Sequence, residues 1–306
     1  MTDSVSHLSL DATLDLAAQL GLDYVEFATG NWSSSPHVNL DVLLEDAAAR
    51  RDLQLKLADR KLRISALTCS GNPLHPGPAG VEQDAVTRKT IELAALLDVD
   101  RVVLMSGLPG GPGDQNPNWI AVSWPPEATK VLAWQWDSVV LPYWTDLAGF
   151  AEQRGIHKLC VELHGQQVVY NAPTLLRLRE AVGPVVGANL DPSHLMWMGG
   201  DPLAAVEALG DAIYHVHAKD TRVEPTAAVR TMLETVSLLT DDPGSRAWNY
   251  VTLGTGRGEP FWADFVAALA KTGYDDVLSI EHEDTAVEPV AGVRASVDLL
   301  RRVTRS

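Results

Sequence analysis

The stretch that determines the fold is residues 158–218, KLCVELHGQQVVYNAPTLLRLREAVGPVVGANLDPSHLMWMGGDPLAAVEALGDAIYHVHA. Three short apolar runs, at 158–163, 185–190 and 213–218, are typical of β-strands. Between them, 173–181 and 202–209 have the apolar spacing of amphipathic helices. Strands that alternate with helices in this way predict a parallel sheet covered by helices.

The same alternation continues in both directions along the chain. Further strands are predicted at 24–28, 64–69, 101–105 and 277–281, and further helices at 11–20, 41–61, 81–97, 143–154, 261–271 and 288–302. A closed barrel needs an eighth strand before the first helix, where only residues 5–8 (VSHL) are available. We therefore predict an α/β fold with one domain over 1–306, a (β/α)8 TIM barrel. Its first strand is either degenerate, at 5–8, or lies upstream of residue 1.

Two insertions interrupt this rhythm, at 106–141 and 223–254. Both follow a strand, so in a barrel they emerge at the C-terminal face, where active sites are built. Long ordered loops in a compact domain are usually functional, and we predict that both form the rim of an active site. The first insertion contains four of the nine tryptophans, and a fifth follows at Trp144.

Composition and charge exclude several classes of protein. With 24 Lys and Arg against 40 Asp and Glu, the net charge of −16 argues against nucleic acid or an anionic membrane as a partner. No apolar stretch approaches the roughly 18 residues of a membrane-spanning helix, and the first residues do not resemble a signal peptide. The two cysteines, Cys69 and Cys160, lie in apolar runs and are predicted to be buried thiols rather than a disulfide. We expect a cytoplasmic protein.

Four predicted strands each end in a side chain that can bind a metal ion. These residues are Glu162, Asp191, His217 and Glu281. The ends of parallel barrel strands converge at one rim, where three carboxylates would repel each other without a cation. Three oxygen ligands and one nitrogen ligand predict one divalent metal, with Mn²⁺ as first choice and Mg²⁺ or Co²⁺ as alternatives.

Other polar and aromatic residues lie close to these strand ends in the sequence. His164 shares a strand face with Glu162 and is a candidate catalytic group, beside Glu162 and Glu281 themselves. His194, Lys219 and Arg222 are predicted to contact a polyol substrate. Trp119, in the first insertion, is predicted to stack on a sugar ring or an aromatic aglycone. The sequence GTGRG (254–258) could bind a phosphate, although a simple turn is the favoured interpretation.

Several of these motifs together resemble the xylose-isomerase-like barrel superfamily. They are VELHG (161–165), DPSH (191–194), HAKDTR (217–222), GRG (256–258) and SIE (279–281). The superfamily includes sugar isomerases and epimerases, inosose dehydratases and repair endonucleases. In its ketose 3-epimerase branch the metal ligands correspond to Glu162, Asp191, His217 and Glu281, and the two glutamates serve as acid and base. The substrate-binding histidine and arginine of that branch correspond to His194 and Arg222.

The resemblance implies a metal-dependent sugar isomerase or epimerase that removes a proton α to a carbonyl and forms an enediolate. The alternative is a lyase of the same fold, which eliminates an aglycone from a 3-keto-glycoside, as C-glycoside deglycosidase catalytic subunits do, or dehydrates a keto-polyol. The long aromatic insertion favours a bulky or glycosylated carbohydrate. A repair nuclease is disfavoured by the acidic charge, and a non-catalytic scaffold by the intact ligand set. Tryptophans in the loops predict a homo-oligomer or a partner subunit.

Overall fold

Seven parallel strands form the central sheet of the computed structural model, which describes residues 1–240 and 242–305. The strands of this sheet are β1 Tyr24–Ala28, β2 Arg63–Thr68, β3 Arg101–Met105, β4 Lys158–Glu162, β5 Val186–Leu190, β6 Ile213–Ala218 and β9 Leu278–Ile280. Each pairs with the one that follows it in this order, and the two remaining strands in the described part of the chain form a separate hairpin, described below. The predicted barrel architecture is confirmed, and all carboxyl ends of the strands of this sheet point the same way.

Helices surround this sheet and alternate with its strands. They are α1 Leu10–Gln19, α2 Leu40–Glu45, α3 Ala47–Asp59, α4 Pro78–Leu96, α5 Pro126–Gln135, α6 Leu141–Glu152, α7 Ala172–Val182, α8 Pro192–Met198, α9 Pro202–Leu209, α10 Ala227–Arg230, α11 Glu259–Lys271 and α12 Pro289–Val303. Side-chain caps start several of them: Ser9 caps α1, Asn171 caps α7 in a capping box with Thr174, and Asp191 caps α8. The single helix predicted at 41–61 is divided at Asp46, which ends α2 and caps α3.

The predicted strand at residues 5–8 is wrong. Thr2–Val5 is a 3₁₀-helix, in which the Ser6 N–H donates to the Asp3 carbonyl. The terminal amine of Met1 instead reaches β9, where it donates to the Ile280 carbonyl at 2.7 Å. Within the described part of the chain, β1 and β9 pair with β2 and β6 but not with each other. A seam with a cavity of about 430 Å³ remains between them.

The latter part of the first insertion, 106–141, is helical. Helix α5 and the π-helix Trp136–Val140 join it directly to α6. Trp136 and Trp144 are fully buried core residues, whereas Trp124 is 75% exposed. Trp136 and Trp144 therefore hold the insertion on the barrel, and Trp124 faces solvent. Because these three do not serve a binding site, the number of tryptophans in this region is weaker evidence for a bulky substrate.

The second insertion, 223–254, is described except for Asp241, which lies outside the described residues. It is built on an antiparallel hairpin of β7 Asp220–Val223 and β8 Trp248–Val251. Of the helical pattern in residues 226–239, only α10 forms. Val229 and Leu239 lie at the surface, so a longer helix would have no apolar surface to pack against.

The main hydrophobic core includes residues from Leu14 to Val303, so it draws on nearly the whole chain. Cys69 and Cys160 are buried free thiols, as predicted. In the described ranges, every helix is too short or too polar to cross a lipid bilayer.

Candidate metal and substrate site

The four predicted metal ligands meet at the carboxyl ends of the strands. Glu162 ends β4, Asp191 follows β5, His217 lies in β6, and Glu281 follows β9. One ligand atom from each residue lies within 4.8 Å of the others. The N–H of Glu281 donates to the Ala218 carbonyl at 3.2 Å, which holds the end of β9 beside β6. The arrangement predicted from the sequence is therefore present in the structure.

Three cations neutralise the carboxylates of this cluster. His194 Nε2 lies 2.8 Å from Glu162 Oε1 and 3.1 Å from Asp191 Oδ2. His217 Nδ1 lies 2.8 Å from Glu281 Oε2, and Lys219 Nζ lies 3.2 Å from Glu281 Oε1. Each buried carboxylate therefore faces a basic side chain.

The pKa values of these groups follow from the pairing. Burial alone would lower the pKa of His194, but the carboxylates of Asp191 and Glu162 raise it to about 9. Burial likewise opposes protonation of His217 and Lys219, yet the adjacent glutamates hold the pKa of each well above its usual value. Burial would raise the pKa of Glu281, but Lys219 and His217 keep it below its usual value. These four groups are therefore charged near neutral pH, and Glu281 is compensated by Lys219 and His217.

Above the cluster lies a pocket of about 820 Å³ with aromatic walls. Trp197 from α8 stacks on Trp248 from β8, with ring centroids 4.9 Å apart and planes within 7°. Tyr250 Oη lies 3.0 Å from His194 Nδ1, and the Lys219 ammonium lies 4.1 Å from the centre of the Tyr250 ring. The hairpin thus supplies both an aromatic wall and a support for the cluster.

Most of the predicted catalytic and substrate-binding residues reach this pocket. His164, His194, Lys219 and Trp119 all line it. The His164 ring lies 4.0 Å from that of His194. Burial, followed by the charge on His194, lowers the pKa of His164 to about 3, so this ring is neutral near pH 7 and can accept a hydrogen bond.

Arg222 does not join the other predicted site residues. It lies in β7, is 47% exposed and pairs with Glu224 at 2.7 Å. Its side chain does not line the pocket. The hairpin explains this placement, because β7 leaves the barrel after Asp220 and carries Arg222 away from the strand ends.

The glycine-rich turn 254–258 serves a carboxylate of the chain itself. The Asp220 side chain accepts hydrogen bonds from the N–H groups of Gly254, Gly256 and Arg257. Burial raises the pKa of Asp220 to about 6, against the effect of these donors, which favour the ionised form. The donors available for a phosphate are already used, which agrees with the favoured interpretation of this sequence as a turn.

Sequence reasoning missed Glu26 and Asn189. Glu26, in β1, is 1% exposed and lies 3.0 Å from His217 Nε2. Asn189, in β5, donates to Glu162 Oε2 at 3.2 Å and lies 3.1 Å from His217 Nδ1. Each is a polar residue inside an apolar strand, and Asn189 shares a face with Asp191 two residues later. The position of Asn189 on the same strand face as Asp191 is the feature of the sequence that could have identified it as a site residue.

Comparisons with known proteins agree with this architecture. The family model for the xylose isomerase-like TIM barrel matches residues 14–303. The Uncharacterized protein YfiH of Bacillus subtilis (strain 168) is 48% identical over 99% of this chain and 97% of its own.

Solved structures with low sequence identity share the fold. The probable 3-DHS dehydratase AsbF of Bacillus anthracis is 16% identical, with a TM-score of 0.68 over 98% of this chain and 97% of its own. An L-ribulose 3-epimerase is 18% identical, with a TM-score of 0.63 over 97% of this chain and 90% of its own. Together with the match to the family model, these similarities show that the chain belongs to the xylose isomerase-like TIM barrel family.

Proposed function

We propose that the protein is a divalent-metal-dependent sugar isomerase or epimerase that removes a proton α to a carbonyl. The observation that carries the proposal is the cluster of Glu162, Asp191, His217 and Glu281, whose ligand atoms lie within 4.8 Å of one another at the floor of a large pocket. A buried set of three carboxylates and an imidazole at the rim of a barrel is suited to bind a cation and a polyol together.

The chemistry of the ligand set fits a divalent cation. Asp191 Oδ2 and Glu281 Oε2 are buried oxygens whose nearest basic groups are imidazoles of the cluster, His194 at 3.1 Å and His217 at 2.8 Å. A divalent cation could take the place of protons of these imidazoles as the charge that faces the carboxylates. Three oxygens and one nitrogen suit Mn²⁺ as first choice, with Mg²⁺ or Co²⁺ as alternatives. When bound, the cation would supply positive charge to a carbonyl oxygen and its neighbouring hydroxyl, and so favour an enediolate.

The protein's own residues provide a base and an acid for the proton transfer. Glu162 and Glu281 lie at the ends of β4 and β9 and have different partners, His194 and Lys219. One glutamate would remove the proton, and the other would return one to the substrate. His164, which is neutral and lines the pocket, is positioned to accept a hydrogen bond from a substrate hydroxyl.

The test uses deuterated water. The protein is loaded with Mn²⁺ and incubated with a panel of ketoses, and recovered sugars are analysed for deuterium at the carbon next to the carbonyl. We expect incorporation with the native protein and its loss in Glu162→Gln and Glu281→Gln. Arg222→Gln is the matched control because Arg222 lies outside the pocket. Full metal-dependent turnover by both glutamine variants would refute the proposal.

A lyase is the second candidate, and the pocket walls favour it. The stacked pair Trp197 and Trp248 and the side chain of Trp119 line a pocket of about 820 Å³, which offers more apolar surface than a free ketose needs. The same incubation with 3-keto-glycosides distinguishes the two activities. Release of an aglycone or of an unsaturated sugar, without deuterated starting sugar, would identify a lyase.

We also propose that the protein associates with itself or with a partner subunit. Trp124, Val229 and Leu239 are large apolar residues that are more than two-thirds exposed. Size-exclusion chromatography with light scattering tests self-association. A protein that stays monomeric at all concentrations would exclude a homo-oligomer, and only association with a partner subunit would then remain.

A further inference from the structure

Glu26 lies beneath the candidate metal site, inside the barrel. Its carboxylate is buried and contacts four groups. Oε1 contacts His217 Nε2 at 3.0 Å and the Thr68 hydroxyl. Oε2 contacts His215 Nε2 at 3.1 Å and the Ser279 hydroxyl. Each oxygen therefore faces one imidazole and one hydroxyl.

The two nitrogens of His217 face carboxylates on opposite sides of the ring. Nε2 faces Glu26, whereas Nδ1 faces the metal cluster, at 2.8 Å from Glu281 Oε2. A carboxylate accepts hydrogen bonds, so without a bound cation both nitrogens of His217 carry a proton. A divalent cation in the cluster would take the place of the Nδ1 proton, and Nδ1 would then present its lone pair to that cation. The proton that remains is the one on Nε2, which faces Glu26.

We propose that Glu26 is a positioning residue that holds the proton of His217 on Nε2 and directs its Nδ1 lone pair to the divalent cation. The inference rests on the metal site of the proposed function. Carboxylates that bind the distal nitrogen of a metal-ligating histidine fix the orientation of the ring and increase its basicity. Glu26 comes from β1, on the other side of the open seam from Glu281, so it connects the first strand to the site.

Substitution of Glu26 by glutamine keeps the shape and removes one acceptor. The amide NH₂ group must face either His217 and Thr68 or His215 and Ser279, and in both cases a donor meets a donor. The hydroxyls can rotate, but an imidazole must move its proton to the other nitrogen. For His217, that nitrogen is the one that faces the carboxylates.

The matched control is Ser279→Ala. The Ser279 hydroxyl contacts Oε2 of Glu26 and not His217, so its removal disturbs the same carboxylate on the opposite side. Glu26→Leu is a second variant, in which the acceptor is removed on both sides. Thermal unfolding of each metal-free variant shows whether the fold is retained.

The measurement is the dissociation constant of Mn²⁺ for the full-length metal-free protein, by titration calorimetry. We expect about 10- to 100-fold weaker binding in Glu26→Gln and Glu26→Leu, and a change of less than about twofold in Ser279→Ala. In the Zn²⁺-loaded native protein labelled with ¹⁵N-histidine, we expect His217 to carry its proton on Nε2. Coordination through Nδ1 by itself leaves the proton on Nε2, so the discriminating signal is the shift of that proton: a hydrogen bond to Glu26 should move it downfield in the native protein and not in folded Glu26→Leu. A merely structural role of Glu26 would not produce this difference.

The possible failures are distinguishable. Native affinity for Mn²⁺ in folded Glu26→Leu, where no acceptor faces His217, or a proton on Nδ1 of His217 in the Zn²⁺ form, overturns this inference alone. A native protein that takes up no divalent cation overturns the proposed function and, with it, the role of Glu26.

Discussion

Replacement of Lys219 by methionine tests the electrostatic compensation of the site. The Lys219 ammonium is 4% exposed and lies 3.2 Å from Glu281 Oε1. Methionine retains most of the apolar stem that packs near Tyr250 but removes the charge. The variant therefore leaves a largely buried carboxylate with one cation fewer.

The size of the effect follows from the distances. Two unit charges separated by the 3.2 Å between Lys219 and Glu281 attract by about 5 kcal/mol at an effective dielectric constant of about 20. Desolvation offsets part of this attraction, and loss of one partner from a buried pair typically costs about 3–5 kcal/mol. His217 still faces Glu281 at 2.8 Å, so we expect a value near the lower limit, about 3 kcal/mol.

The assay is urea unfolding of the metal-free protein, followed by circular dichroism and extrapolated linearly to water. Glu283→Gln is the control, because Glu283 contacts Lys219 at 2.5 Å but is half-exposed, and its loss should cost less than about 1 kcal/mol. With saturating Mn²⁺ the cost of Lys219→Met should shrink, since the cation then neutralises Glu281. A loss below about 1 kcal/mol in the metal-free variant would refute this account of the site.

Three further predictions concern thiols, a loop and pH. Cys69 and Cys160 are buried, and burial raises the pKa of Cys69 to about 12, so both should react with Ellman's reagent only after unfolding. Asp220→Asn replaces the acceptor of the N–H groups of Gly254, Gly256 and Arg257 and should lower the free energy of unfolding by about 2 kcal/mol, measured in urea. An unchanged free energy of unfolding would contradict the role of Asp220. Although burial opposes it, the adjacent carboxylates raise the pKa of His194 to about 9. The contribution of protonated His194 to the free energy of unfolding is therefore fully present below about pH 6.5. As pH rises through 9, the free energy of unfolding of the metal-free protein should fall by up to about 3 kcal/mol. A flat stability profile over that range would exclude this coupling.

Much of the barrel could be predicted because its strands are buried and alternate with amphipathic helices. The bounds of β1, β3 and β6 match the prediction, since apolar runs and flanking turn residues mark their ends. The strand at residues 5–8 failed because no pattern distinguishes so short a polar segment from a 3₁₀ turn. Hydrogen bonds to Ser4 and from Met1, which are long-range contacts, decide its structure.

The metal cluster could be predicted because strand ends meet at one rim wherever the connecting loops go. The pocket walls could not, since they depend on how the insertions fold back. Trp248 and Tyr250 reach the site through an antiparallel hairpin that the alternation of strands and helices does not indicate. The same hairpin carries Arg222 away from it.

Asp191, which directly follows β5, connects the metal cluster to a helix. Its Oδ1 accepts the Ser193 N–H and so caps α8, whereas its Oδ2 faces the metal cluster. Helix α8 in turn carries Trp197, part of the pocket wall. A cation on one oxygen of Asp191 and a ring against Trp197 would thus act on the same short helix. If the cation changes the affinity for the carbohydrate through this helix, thermodynamic reciprocity requires the carbohydrate to change the affinity for the cation by the same factor.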